Sequence, residues 1–96
     1  MQPEQHKQKL EVTVRYLAAT RPFQDNNAEP PETLASLKTR VMDAFGVQES
    51  ENANQTVLYW LYQDDTKLED PTRTLGALAG DKNHLKLRLV QQIIQG

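Results

Sequence analysis

The stretch Thr33-Leu-Ala-Ser-Leu-Lys-Thr-Arg-Val-Met-Asp-Ala-Phe-Gly46 decides the fold. Leu34, Leu37, Val41, Ala44 and Phe45 recur at helical spacing and form one apolar stripe, so the spacing predicts an amphipathic helix over residues 33–45. Thr33 stands where a hydroxyl can accept a hydrogen bond from an orphan backbone N–H of the first turn. Ser36 occupies the position of the Glu or Gln that would complete a capping box. Gly46 follows the last apolar residue, where a left-handed residue ends many helices. A helix apolar on one side only must lie on another layer, and the flanking sequence has to supply it.

The flanks read as strands. Leu10, Val12, Val14 and Tyr16 alternate with Glu11, Thr13 and Arg15, which predicts a half-buried strand over residues 10–17. A turn leads to a second strand near residues 20–25, on a sheet edge because Pro22 lacks a backbone donor. Residues 25–32 are dense in turn formers. Beyond the helix, residues 48–55 read as a polar loop. The run Val57-Leu-Tyr-Trp-Leu-Tyr-Gln63 reads as a strand buried on both faces for part of its length, with Trp60 in the core. Asp64-Asp65-Thr66 is a tight turn, and residues 67–69 a short returning strand. Residues 74–78 form a helical turn that points Leu75 and Leu78 inward. Leu85, Leu87 and Leu89 alternate with Lys86 and Arg88 in a last strand. The order is strand, strand, helix, strand, short strand, helical turn, strand. It describes an α+β layer structure with one mixed sheet and one main helix.

Composition removes several function classes. The 96 residues suit one domain. Eleven Lys+Arg against thirteen Asp+Glu leave a net charge of −2, so no basic surplus draws the chain to nucleic acid or anionic lipid. Zero cysteines exclude disulfides, thiolate metal sites and thiol chemistry of its own, and fit a reducing, cytoplasmic setting. The longest apolar run, residues 57–62, is too short to span a bilayer. The N-terminus has no apolar stretch and reads as no secretory signal. His6 and His84 do not make a metal site, which needs three or four ligands. Asp64 and Asp65 read as turn chemistry rather than as a general acid–base pair, since no cleft is evident to perturb them. The expectation is a monomer that is no enzyme and holds no cofactor or metal.

Four pieces together resemble the ubiquitin-like β-grasp family over roughly residues 10–90. Thr33-Leu-Ala-Ser-Leu-Lys resembles the family's helix start, and Val41-Met-Asp-Ala-Phe-Gly-Val its helix end. Lys67-Leu-Glu-Asp followed by Arg73-Thr-Leu resembles an "L-E-D…R-T-L" segment, with one extra residue at Pro71. Leu85-Lys-Leu-Arg-Leu resembles the final strand. The resemblance implies a four- to five-stranded mixed sheet packed on one helix, with residues 1–9 and 91–96 as flexible tails.

It also implies a choice of functions. Some members are protein modifiers whose terminal glycine is adenylated by an activating enzyme and joined to a target lysine. On that reading, for a prokaryotic modifier, Gly96 is the conjugation residue and residues 91–95 are its mobile arm. The partners are activating and conjugating enzymes, a deconjugating peptidase and target proteins. Others are non-covalent adaptors or small subunits of larger complexes, and a third branch carries sulfur as a terminal thiocarboxylate. This chain departs from the family's usual Gly pair, because residue 95 is Gln, and Val90 stands where ubiquitin has an arginine. The positions matching ubiquitin's docking patch are Tyr62, Lys86 and Arg88, an aromatic and cationic set suited to a carboxylate-rich partner.

Overall fold

The computed structural model describes residues 9–95. Strand β1 (Leu10–Tyr16) pairs antiparallel with β2 (Phe23–Ala28), and helix α1 (Leu34–Phe45) follows. Then come β3 (Ser50–Glu51), β4 (Gln55–Gln63), β5 (Thr66–Lys67), helix α2 (Leu75–Ala79) and β6 (His84–Gln95). The sheet runs β2-β1-β6-β4-β3, with β5 on β4, and its central pair β1–β6 is parallel. The α+β sheet-on-helix architecture is the one the periodicities predict, with six strands rather than four or five.

The core is aliphatic. Val12 and Val14 of β1, Leu85, Leu87 and Leu89 of β6, and Leu61 of β4 meet Leu34, Leu37 and Val41 of α1, all buried. Leu75 and Leu78 of α2 and Leu68 close one end. Tyr16 packs beside Phe45 and Tyr59, with ring centroids 5.3 and 6.2 Å away. Both helices begin on a threonine: Thr33 accepts from the Ser36 N–H and Thr74 from the Ala77 N–H, each at 3.2 Å. Gly46 ends α1 at φ +71°, a conformation that other residues adopt at a cost. Gly76 lies so close to Pro30 that a Cβ there would come within 3.1 Å of it, which fastens α2 to the loop before α1.

Arg40 ties the helix to the sheet edge. It makes a two-pronged contact with Glu32, at 2.9 and 2.7 Å, and a third bond to Asp25 at 2.8 Å. The Asn27 backbone N–H, with Arg40 beside it, holds the Asp25 carboxyl below the usual carboxylate range. Glu49 closes the gap that β3 and β5 leave along the β4 edge. It accepts from the Tyr59 backbone N–H at 2.9 Å and from Lys38 at 3.0 Å. Burial raises the Glu49 pKa, but those two donors outweigh burial and lower it overall.

Several sequence expectations need correction. Strand β2 lies about three residues later than predicted, and takes in Asp25, Asn26 and Asn27. Pairing with β1 overrides their turn preference, and the buried Ala28 anchors the register opposite Leu10. The predicted polar loop contains the two-residue strand β3. In β4 only Tyr59 and Leu61 are buried, so the strand is covered on one face rather than both. Trp60 is half-buried and bonded to Gln92, not a core residue. The largest correction concerns residues 91–96, read as a flexible tail. Residues 91–95 continue β6 and pair antiparallel with β4 out to Gln95 opposite Gln55. Their Gln and Ile side chains carry no charge to oppose pairing, and Gln91 and Gln92 bond across to Tyr59 and Trp60. Gly96 and residues 1–8 of the other expected tail lie outside the described residues.

Candidate protein-interaction site

The period of two along β6 builds the site. Leu85, Leu87 and Leu89 face the core, so Lys86 and Arg88 face solvent. The antiparallel register sets Tyr62 of β4 opposite Arg88. The Arg88 guanidinium carbon lies 5.3 Å from the Tyr62 ring centroid, within cation–π range. Its Nη2 also donates to the Asp64 backbone carbonyl at 3.2 Å. Asp64 has φ +54°, the tight turn expected after β4. The three residues singled out from sequence thus share one sheet face.

The face is broader than those three. Parallel pairing places Arg15 beside Arg88 and Thr13 beside Lys86. Among the described residues, none of Arg15, Lys86 and Arg88 is ion-paired. They line a shallow depression of about 230 Å³ with Thr13, Asp64 and Leu87. Two residues along β4, Trp60 has the Lys67 ammonium 4.6 Å and the Lys38 ammonium 5.5 Å from its ring centroid. The Trp60 indole N–H donates to Gln92 at 2.7 Å. Lys38 and Lys67 are paired with Glu49 and Glu69, so it is Arg15, Lys86 and Arg88, without a carboxylate partner among the described residues, that give this face the chemistry to bind an acidic protein segment.

Sequence reasoning did not identify Arg15, Trp60 or Leu17 as parts of this surface. The alternation of β1 marks Arg15 as outward, but only the β1–β6 register brings it to Arg88. Leu17 is fully exposed, at 101%, where the chain turns away from β1. Its signal in the sequence is a break in alternation: an apolar residue directly after the inward Tyr16. Among the described residues no group of His, Asp or Glu is arranged to hold a metal ion. No described helix is long and apolar enough to cross a membrane.

Comparison with solved structures places the fold. The chain is similar to the ubiquitin of Caldiarchaeum subterraneum at 17% identity and a TM-score of 0.63, covering 91% of this chain and 98% of that one. It is also similar to the UBL domain of yeast Ddi1 at 14% identity and a TM-score of 0.64, covering 93% and 95%. No protein-family model and no curated protein sequence matches it. The chain therefore has the ubiquitin-like β-grasp fold.

Proposed function

We propose that this ubiquitin-like protein is a modifier, joined to target proteins through the carboxylate of Gly96. The observation that supports the reading most is the course of β6. Its partner β1 stops at Tyr16, opposite Leu89, and β6 runs on for six residues with β4 alone. At about 3.3 Å per residue this carries the C-terminal segment roughly 20 Å beyond the end of β1. The near-complete overlap with an archaeal ubiquitin gives the same direction.

The chemistry follows from a carboxylate with little steric bulk. The Gly96 carboxylate attacks the α-phosphate of ATP on an adenylating enzyme and displaces pyrophosphate. A thiolate of the enzyme attacks the acyl carbon, and AMP leaves. A target amine then displaces the thiolate, loses a proton and forms an isopeptide bond. This chain is substrate and carrier throughout, and it brings no thiol of its own. The face around Tyr62, Lys86 and Arg88 is where the enzymes and readers of the modifier dock.

A second reading, a non-covalent adaptor, draws support from the pairing of residues 91–95 with β4, which restrains the arm a modifier needs. Expression of an N-terminally tagged chain in its source cells separates the two. The modifier reading expects higher-mass adducts whose tryptic fragments carry Gly96 on lysine, lost on deletion of Gly96. Unchanged complexes after that deletion, with no adducts, overturn it in favour of the adaptor.

A further inference from the structure

Beyond Tyr16, β1 vacates its lane in the sheet. The Ala19 N–H bonds back to the Tyr16 carbonyl at 2.9 Å, and the chain turns off. Residues 90–95 of β6 continue past this point, paired with β4 on one side and with no strand of the described residues on the other. The edge so exposed is uncharged and free of proline and glycine. Natural sheets usually protect such edges with a lysine, a proline or a bulge. The vacated lane is an open groove of about 770 Å³ that includes Arg15, Tyr16, Leu17, Arg88, Leu89 and Val90 in its walls.

The mouth of this groove has a defined charge. Arg15 and Arg88 stand in register on adjacent parallel strands, without an ion-pair partner among the described residues. Like charges side by side on a sheet face repel. A carboxylate placed between them removes that repulsion and gains charge-assisted hydrogen bonds. Leu17, fully exposed at the same end, supplies an apolar contact.

From this geometry we propose that the vacated β1 lane is a docking site for an extended acidic segment of a partner protein. The segment adds as a strand to residues 90–95, and its carboxylates sit between Arg15 and Arg88. Backbone pairing supplies affinity and the guanidinium pair supplies selection, as in other strand-addition sites. The site stands apart from conjugation, since it needs neither Gly96 nor an activating enzyme.

The probe is an acetylated, amidated seven-residue peptide with two glutamates at one end and alternating valine and threonine beyond, made in both orientations. Titration is followed by amide chemical shifts of the full chain. One orientation is expected to shift and protect amides across residues 90–95. Replacing its glutamates by lysines should weaken binding at least tenfold. Combined R15E and R88E substitutions, both on the exposed face, should reverse that preference. Methylating the peptide nitrogens that face β6 should abolish binding. Binding by glutamate and lysine peptides alike, or shifts confined to Tyr62 and Lys86, would overturn the proposal. So would protection of residues 90–95 that grows with protein concentration in the absence of peptide, because a second copy would then own the edge.

Discussion

The two halves of β6 share a strand but differ in what covers them. Residues 84–89 pair with β1, and residues 88–95 pair with β4, so backbone pairing on both sides overlaps only at Arg88 and Leu89. Leu85, Leu87 and Leu89 in the first half are 2–3% exposed beneath the helical layer. In the second half, Ile93 and Ile94 are 49% and 45% exposed. The number of strand partners is alike for most residues of either half; the apolar burial is not. Burial therefore makes the first half part of the cooperative core. The second half is held by ladder hydrogen bonds and two side-chain clasps, each contributing about 1 kcal/mol net.

The sharpest way to break this comparison is to shorten equivalent aliphatics in the two halves. Leu87→Ala removes a buried side chain and should cost about 2–5 kcal/mol in chemical denaturation. Ile93→Ala should cost less than about 1 kcal/mol, as exposed substitutions do. Equal losses would mean that an unseen surface buries Ile93. Next in size is the Thr33 cap on the core side. Thr33→Ala should cost about 1 kcal/mol, speed the globally gated exchange of residues 85–89 about fivefold and leave the local exchange of residues 91–95 unchanged.

The clasp on the second half gives a local effect. Trp60→Phe keeps the ring and removes the indole donor to Gln92. Losing one hydrogen bond of about 1 kcal/mol should speed amide exchange at residues 91–95 about fivefold, while residues 85–89 stay unchanged apart from any global shift. A uniform change along β6 would join the halves into one cooperative unit.

The smallest effect distinguishes the halves by pH. Asp25 and Glu49 both have lowered pKa values in the folded protein, through donors from Asn27 and Arg40 and from Tyr59 and Lys38. A lowered folded-state pKa means that the unfolded chain takes up protons first as the pH falls. Their stabilisation is complete above the ordinary carboxylate range and is lost as the pH falls through the folded values. Chemical denaturation between pH 6 and pH 3 should show a decline that is reduced in Asp25→Asn. Within the second half, residues 90–95 carry no titratable group, so the free energy of their local opening should change little over the same range.

Much of this architecture was legible in the sequence. The stripe of Leu34, Leu37 and Val41, the Thr33 cap, the Gly46 stop and the alternation of Leu85, Leu87 and Leu89 each follow from local rules, and the structure agrees with all of them. Pairing partners are what local rules omit. Asp25, Asn26 and Asn27 look like a turn until β1 lies beside them. Residues 91–95 look like a tail until Gln55, Tyr59 and Trp60 are seen across the ladder. The candidate site was half legible for the same reason. Tyr62, Lys86 and Arg88 could be read from alternation and resemblance, whereas Arg15 joins them only through parallel register. Leu17 joins the groove only because β1 ends one residue before it.

Residue-resolved amide hydrogen exchange along β6, on the full chain at low concentration, tests the division of this strand most directly. Residues 85–89 should exchange their β1-bonded amides only through global unfolding. Across residues 90–95, amides directed at β4 should show modest protection, and the intervening amides directed into the vacated β1 lane should show almost none. No protection at all beyond Leu89 would make the segment a free arm. Equal strong protection of every amide to Gln95 would place a partner in the lane already, and either result would contradict this account.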